Sequence, residues 1–412
     1  MSSEWPIAKL GDLTVNLDTK RKPVKGPDRK PGPYPYYGAS GIVDYVDGYI
    51  FDGEHLLIAE DGENLRTRQT PIAFRACGKF WVNNHAHIVV GNERASTRYL
   101  EYALLASDIT SYLTGAVMPK LTQGNMNLIE IPCPPRYVQD QIVGVLGSLD
   151  DRITLLRETN TTLEAIAQAL FKSWFVDFDP VHAKMQGRAL EGMIEATAAL
   201  FPESFEQSEL GAVPKGWHVM PVGYAVEAVG GATPDTKTPE YWEPAEHHWT
   251  TPKDLSGIAS PVLLGTERKL SDAGLKKISS GLLPVGSLVM SSRAPIGYLA
   301  MTQVPMAINQ GYIAIPPGGK LSPLYMLFWC QTNMDCIKGR ANGSTFMEIS
   351  KKAFRPIPAL VPSQAVLDAF EALTTQLFAR LVENEKQAQS LTSVRDALLP
   401  RLITGQIAVA SS

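Results

Sequence analysis

The chain contains little of what holds small secreted folds together or anchors proteins in membranes. Its four cysteines form no Cys-x-x-Cys pair, which argues against a zinc ribbon and a disulfide framework. The first residues lack the basic and apolar regions of a signal peptide, and no uncharged apolar run reaches the roughly 18–20 residues that span a bilayer. We therefore expect a cytoplasmic protein with no membrane partner. Its 412 residues suffice for two or three domains at roughly 100–200 residues each.

The sequence also lacks an excess of positive charge and the common phosphate-binding motifs. Lys and Arg total 38 against 42 Asp and Glu, which argues against nucleic-acid binding by bulk charge. Gly318-Gly319-Lys320 is followed by Leu321 and has no glycine at the required upstream position, so no P-loop is present. No Gly-x-Gly-x-x-Gly opens a helix. ATP hydrolysis and dinucleotide binding are therefore not expected.

Residues that suggest catalysis or metal binding are sparse. Asp61 and Glu63 belong to an acidic cluster of the kind that nucleases use, but Asp61-Gly62 is a common turn signal. His85 and His87 stand at strand spacing without an apparent third metal ligand. We predict no catalytic residue, no metal site and no cofactor bound by this chain.

Instead, the chain contains an internal repeat. Trp5 stands shortly before Leu10-Gly11 as Trp217 stands before Val222-Gly223, and residues 115–121 resemble residues 341–347, 226 residues later. Between these marks, residues 56–59 correspond to 288–291, and Asn84 to Ile88 correspond to Asn309 to Ile313. Short mixed apolar runs bounded by Gly, Pro, Asn and Asp predict two strand-rich domains of an α+β fold, at residues 1–135 and 214–358.

A long helix is predicted after each domain, at residues 136–179 and 359–405, with a solvated connector at 180–213. Each helix carries apolar residues at alternating spacings of four and three, interrupted by one asparagine, which is typical of two helices packed along a seam. Antiparallel packing of two helices of roughly 50–60 Å would relate the domains by a pseudo-twofold axis. Two independent helices, each covering its own domain, remain the alternative. The predicted helix-pairing residues are Leu149, Ile153, Leu156, Asn160, Leu163, Leu373, Leu377, Asn384 and Leu391.

Basic side chains are distributed unevenly between the domains. The first domain has 14 basic and 15 acidic residues, whereas the second has 14 basic and 10 acidic. A Pro- and Gly-containing loop at residues 20–30 gathers six cations, including Arg21, and the tyrosines that follow would anchor it beside phosphates. Arg and Asn also suit the edges of guanine and adenine. The predicted nucleic-acid-binding residues are Lys20, Arg21, Lys22, Lys25, Arg29, Lys30, Arg66, Arg68, Asn84, Lys120, Lys253, Lys276, Lys277, Arg293, Asn309, Lys351 and Lys352, with Ser344 and Thr345 as further candidates.

The sequence resembles a known family, the DNA-specificity subunits of type I restriction-modification systems. The string Phe171-Lys172-Ser173-Trp174-Phe175 is the most specific mark of this resemblance. The other marks are Trp5 to Gly11, Tyr37 to Ile42, Ile131-Pro132 with Pro134-Pro135, Leu200 to Pro202, Pro214 to Trp217 and Leu398 to Leu402.

The resemblance implies a non-catalytic subunit with two target-recognition domains, each reading one half of a bipartite site in double-stranded DNA. It also implies that the two helices dock two adenine methyltransferase (modification) subunits, and that restriction subunits complete the complex. S-adenosylmethionine, ATP and Mg²⁺ are then expected on the partner subunits. A restriction endonuclease with an unrecognised active site around Asp61 and Glu63 is the alternative function. The recognised DNA sequence does not transfer from the family.

Overall fold

The computed structural model describes residues 5–343 and 347–409, which form two compact units. Unit 1 combines the chain up to Ile153 with the chain from Ser390 onward, and unit 2 runs from Thr154 to Gln389. Each long helix therefore contributes one part to each unit. Among the described residues, no helix combines the length and apolar composition that crossing a membrane requires.

Unit 1 is built on three small sheets. A four-stranded sheet has the order β2-β8-β5-β6, a three-stranded sheet the order β4-β3-β7, and β1 pairs with β9. Helix α2 packs on β5 and β6, and the core lies between this helix and the four-stranded sheet. The elements are β1 Ile7–Lys9, β2 Thr14–Asn16, β3 Pro31–Gly38, β4 Gly41–Val46, β5 His55–Ala59, α1 Asn64–Thr67, β6 Ala73–Ala76, β7 Trp81–Val82, β8 Ala86–Gly91, α2 Thr97–Ala106, α3 Gln123–Leu128, β9 Glu130–Pro132 and the long helix α4 Arg136–Phe175.

Unit 2 has the corresponding sheets and one further hairpin. The sheet orders are β14-β17-β16-β19, β15-β13-β18 and β12-β20, and β10 pairs with β11 in the connector. The elements are α5 Asp179–Met185, α6 Glu195–Ala199, β10 Phe205–Ser208, β11 Gly211–Pro214, β12 His218–Pro221, α7 Val222–Ala225, β13 His247–Thr250, β14 Val262–Leu263, β15 Lys269–Leu270, α8 Asp272–Leu275, β16 Leu288–Ser291, β17 Leu299–Thr302, β18 Met306–Ile308, β19 Tyr312–Ile315, α9 Pro323–Thr332, α10 Met334–Gly339, α11 Lys351–Phe354, β20 Pro358–Val361 and the long helix α12 Gln364–Ile403.

The internal repeat is visible in strand register. In unit 1, Leu56 of β5 pairs with Val89 of β8, and in unit 2 Leu288 of β16 pairs with Ile315 of β19. The helix that follows each strand is capped alike, because Ser96 accepts from the amide of Tyr99 and Ser322 from the amide of Tyr325. The predicted α+β fold with a repeated unit is therefore confirmed.

The long helices differ in extent from the segments 136–179 and 359–405. Helix α4 ends at Phe175, and Phe178 has the left-handed φ of +54° before α5 begins. Residues Pro358–Val361 form β20 instead of helix because they pair with β12. Pro362 and Ser363 then separate this strand from α12, since a proline disfavours helical conformation in the residue before it.

The two long helices pack antiparallel, as the contacts within unit 2 demonstrate. The Nδ2 of Asn384 donates to Oδ1 of Asn160 at 2.9 Å, and the ring of Phe370 lies 6.0 Å from that of Phe171. Residue numbers therefore rise along one helix as they fall along the other. This pairing excludes two independent helices.

Most predicted seam positions are buried or half-buried. Ile153, Leu156, Asn160 and Asn384 are buried, and Leu149, Leu163, Leu377 and Leu391 are half-buried. The prediction for Leu373 is wrong, because its side chain is 44% exposed and the adjacent Thr374 is buried instead. From Val366 the seam positions follow at intervals of four, at Phe370 and Thr374, before an interval of three returns. Two successive intervals of four keep the seam on one face because an undistorted helix has 3.6 residues per turn.

The aromatic string at the end of α4 fixes this helix in the core of unit 2. Trp174 packs edge-on against Phe201 at 5.1 Å, and Phe175 packs edge-on against Phe370 at 5.0 Å. Lys172 stays exposed and pairs with Asp177. The string therefore has a structural role that explains its residue types, since edge-to-face aromatic pairs add to the gain from burial.

Candidate nucleic-acid interface

In unit 1, three chain segments meet where β5 ends and β8 begins. The amide of Glu60 donates to the carbonyl of His85 at 2.9 Å, and the amide of Leu121 donates to the carbonyl of Glu60 at 2.8 Å. We call this meeting of residues 60–61, 83–85 and 120–121 the unit 1 junction. It positions several of the predicted side chains.

An ion-pair network underlies the unit 1 junction. The Nη1 of Arg21 donates to Glu60 Oε2 at 2.8 Å and to the carbonyl of Ala86 at 2.7 Å, and its side chain is only 15% exposed. Lys120 Nζ lies 3.3 Å from Glu60 Oε1 and is half exposed. Arg21 is therefore a structural anchor, and because its guanidinium is already bonded within the protein, this arrangement does not support its predicted role at phosphates.

His87 and Asp18 extend the network below the junction. The Nδ1 of His87 lies 2.6 Å from Asp18, and its Nε2 lies 2.8 Å from the carbonyl of Leu121. Burial raises the pKa of the Asp18 carboxyl, but hydrogen bonds from His87 and the Ile88 amide, with nearby positive charge, bring it below its ordinary value. Burial also raises the pKa of the Glu60 carboxyl. Hydrogen bonds from Arg21 and Lys120, with the charges of Arg21 and His87, outweigh this effect, so the pKa lies below its ordinary value. Both carboxylates are thus stabilised in ionised form.

The basic loop is held from both sides. Tyr36 accepts from the amide of Val24 at 2.9 Å, and Trp81 donates to the carbonyl of Lys22 at 2.6 Å. Arg29 stacks over the Tyr36 ring at 4.3 Å and pairs with Asp44 at 3.2 Å, so it is engaged internally. The loop lysines Lys20, Lys22, Lys25 and Lys30 are exposed and form no ion pair with the described residues. They are the cations that this loop offers to solvent.

The two arginines after β5 bond to backbone carbonyls. Arg66 donates to the carbonyl of Gly115 at 2.9 Å and lies 3.7 Å from Glu63. Arg68 has a φ of +48° and donates to the carbonyls of Leu105 and Ser107. Because the guanidinium of Arg68 is bonded at the end of α2, its predicted role in base recognition is not supported by this arrangement.

Unit 2 repeats the same junction with different side chains. The amide of Ser292 donates to the carbonyl of Gly311 at 2.8 Å, and the amide of Ile349 donates to the carbonyl of Ser292 at 3.0 Å. Arg293 pairs with Glu348 at 3.3 Å, in the place where unit 1 has Asp61 and Lys120. We call residues 292–293, 309–311 and 348–349 the unit 2 junction.

The turn within each junction corrects the correspondence predicted from the sequence. Asn83 Oδ1 accepts from the amide of His85, and Asn309 Oδ1 accepts from the amide of Gly311, both at 2.8 Å. Asn83 is therefore the counterpart of Asn309, and Asn84 is the counterpart of Gln310. The prediction was shifted by one residue, which matters because Asn83 is buried whereas Asn84 is exposed.

The predicted residues of unit 2 fall into two groups. One group lies near the unit 2 junction and comprises Lys253, Arg293, Asn309 and Lys351. Lys253 follows Pro252, which packs against Gly311. Lys351 lies against Gly230, and the next residue, Gly231, contacts Ile308. Lys352 is exposed beside Lys351 in α11. Lys276 and Lys277 follow α8, where the Lys277 ammonium lies 5.2 Å from the Tyr241 ring. Ser344 and Thr345 lie outside the described residues.

Comparisons with known proteins identify the family. The sequence model described as "Type I restriction modification DNA specificity domain" matches residues 2–165 and 214–380, which is most of the chain and covers both copies of the repeat. The chain belongs to this family. Its specificity subunits are non-catalytic and recognise DNA, so the predicted family and the predicted role in DNA recognition are confirmed, and nothing in the comparisons favours the endonuclease alternative.

Individual members of the specificity family resemble the chain over much of its length. The HindI specificity subunit of Haemophilus influenzae is 27% identical, over 75% of this chain and 77% of the relative. The MjaIX specificity subunit of Methanocaldococcus jannaschii is 33% identical, over 45% of this chain and 43% of the relative. The crystal structure of an S subunit from M. genitalium shares the fold, with a TM-score of 0.58 at 16% identity over 97% of this chain and 96% of that chain.

The acidic cluster that suggested a nuclease in the sequence is occupied by internal pairs in this specificity subunit. Asp61 lies 2.9 Å from the His85 ring, and Glu63 pairs with Arg66. Within the described residues, Glu246, His247 and Asp272 bring three ligand atoms within 4.8 Å of one another. Two of these three residues are exposed, and exposed acidic groups often cluster without a metal.

Proposed function

We propose that each unit reads one half of a bipartite DNA target. The observation that carries this proposal is the repeated junction, in which one backbone arrangement bears different side chains. Unit 1 offers Asp61 and Lys120 where unit 2 offers Arg293 and Glu348. Because base edges in the major groove are distinguished by their donor and acceptor patterns, exchanging charge at one position changes the preferred base.

The middle residue of each junction turn is our candidate for base reading. Asn84 and Gln310 are exposed, and Asn or Gln side chains can make paired hydrogen bonds to adenine. The exposed lysines nearby, Lys20 and Lys22 in unit 1 and Lys253 in unit 2, would contact phosphates and fix the register.

The outer faces of the long helices are candidates for partner docking. Leu155, Ile166 and Leu373 are 51%, 45% and 44% exposed, so both helices present apolar side chains outside the seam. We propose that they contact two methyltransferase subunits, with restriction subunits joining the complex. S-adenosylmethionine, ATP and Mg²⁺ would then be bound by the partners and not by this chain.

Methylation sequencing tests the proposed function directly. The chain is expressed with its methyltransferase partner in a host that lacks other modification systems, and the methylated positions in host DNA are mapped. The proposal predicts one bipartite sequence with an unspecified spacer. A single continuous site, or methylation without sequence preference, would contradict it.

A further inference from the structure

A short loop beside the unit 1 junction exposes two apolar side chains. Residues 115–119 form its tip, where Val117 is 95% and Met118 is 63% exposed. Val117 is the most exposed large apolar residue in the described part of the chain. Both side chains leave apolar surface in contact with water, which burial in a partner would remove.

The loop is held rigidly in this position. Thr114 and Lys120 close it with two backbone hydrogen bonds of 2.8 Å. Gly115 has a φ of +87°, and a Cβ at this position would lie 2.1 Å from the carbonyl oxygen of Met118. Arg66 donates to the carbonyl of Gly115, and the amide of Gly62 donates to that of Pro119 at 3.1 Å. Because the tip is preorganised, binding through it requires little further ordering.

The loop joins the proposed DNA-contacting surface of unit 1 through Lys120, which belongs to the unit 1 junction. Arg66 and Lys120 at the base of the loop are 41% and 50% exposed. Lys20 and Lys22 flank Arg21, whose guanidinium contacts the same Glu60 as Lys120. Arg66 and Lys120 pair with the carboxylates of Glu63 and Glu60, so the exposed Lys20 and Lys22 supply the positive charge that remains for a partner. An apolar tip that adjoins a DNA-contacting surface is the arrangement by which proteins insert side chains between DNA base pairs.

Unit 2 has a loop of the same construction. Asn342 and Glu348 close it with two backbone hydrogen bonds of 3.0 Å, and Met347 is 52% exposed. Residues 344–346 lie outside the described residues, so the inference concerns the loop of unit 1 alone. Its closure in both copies indicates that the loop belongs to the repeated unit.

We propose that Val117 and Met118 form an apolar wedge that inserts between base pairs within the half-site read by unit 1. This inference rests on the proposed function, since it needs unit 1 to bind DNA. The wedge would unstack one base step and kink the duplex there. It would thereby favour steps that open easily, which adds selectivity at a position where no hydrogen bond is made.

The test compares the wild-type chain with Val117→Ser/Met118→Ser in the complex with its methyltransferase. The probe is a duplex of the recognised sequence that carries 2-aminopurine at successive positions of one half-site. The wild type should raise 2-aminopurine fluorescence at one step away from the methylated adenine, which the methyltransferase itself takes out of the stack, and the serine variant should lose the rise at that step only. Losing the burial of the two apolar side chains should lower affinity roughly tenfold, with the salt dependence unchanged because no charge is removed.

Two further variants serve as controls. Val117→Leu/Met118→Leu keeps the tip apolar and should retain the fluorescence rise. Ile7→Ser removes a half-exposed apolar side chain from β1 and should bind as the wild type does. The wedge is overturned if the serine variant binds DNA with unchanged affinity and fluorescence, or if it loses methyltransferase assembly instead. If the wild-type complex shows no sequence preference, the proposed function itself fails.

Discussion

Removing Arg21 should lower the stability of the fold, whereas removing its neighbour Lys22 should weaken DNA binding. Arg21→Ala leaves the carboxylate of Glu60 poorly compensated in a largely buried position, so we expect a loss of about 3 kcal/mol in the free energy of unfolding. Lys22→Ala should change stability by less than about 0.5 kcal/mol and lower the salt slope of DNA binding by about 1. Urea unfolding and salt titrations measure both quantities. An Arg21→Ala variant of wild-type stability with a reduced salt slope would return Arg21 to the phosphates.

The carboxylates below the unit 1 junction predict how stability depends on pH. The folded-state pKa values of Asp18 and Glu60 lie below their ordinary values of 3.8 and 4.5, so the unfolded chain binds more protons in this range. Their contribution to stability is complete above about pH 4.5 and is lost as the pH falls through the folded-state values. Melting temperatures between pH 3 and 6 should fall less steeply for Asp18→Asn than for the wild type. Equal slopes would contradict this origin.

The sequence predicts where cations concentrate, but it does not show which of them lack a partner inside the protein. Arg21 and Arg68 bond inside the protein to Glu60 and Ser107, which are distant in sequence, and Arg29 stacks on Tyr36. Such pairing depends on tertiary structure, which a single sequence does not reveal. The repeated string containing Val117 and Met118 was visible in the sequence, but its exposure was not.

Adjacent leucines on α4 test the seam at the level of the helix. Leu156 is 3% exposed and Leu155 is 51% exposed. Leu156→Asp would bury a charge and should lower stability by about 4 kcal/mol, whereas Leu155→Asp should change it by less than about 0.5 kcal/mol. Urea unfolding monitored by tryptophan fluorescence distinguishes them. Equal effects of the two substitutions would show that the seam is misplaced. Reduced methyltransferase binding by Leu155→Asp would support the proposed docking face.

The buried asparagine pair should fix the register of the two long helices at some cost in stability. Asn160→Ala leaves the Asn384 amide without its partner, which should cost about 1–3 kcal/mol. Replacing both residues by leucine removes the polar groups together, and this double variant should be at least as stable as Asn160→Ala. A double-mutant cycle measures the coupling between the two side chains. Additive effects of the single substitutions would indicate that the pair does not interact.

Helix existence and pairing were predictable because the seam is long and regular. The helix ends were less predictable, because β20 forms only through pairing with β12, which lies some 140 residues earlier in the chain. Leu373 was predicted in the seam because leucine is apolar. The turn of the helix instead places the adjacent Thr374 on the buried face.

For the whole molecule, the repeat was the most informative property of the sequence. It predicted two similar domains, and strand register and helix capping confirm them. It placed the counterpart of Asn309 one residue too late, because short strings align equally well at neighbouring offsets. The hydrogen bonds of the two turns resolve that ambiguity.

The central claim is that each unit reads its own half of the target. Methylation sequencing of Asn84→Ala and Gln310→Ala, which alter matching positions of the two junctions, tests it most directly. We predict that each variant relaxes base preference in one half-site, that the two halves differ, and that the other half stays unchanged. If either substitution altered both halves together, or if both altered the same half, the account would be contradicted.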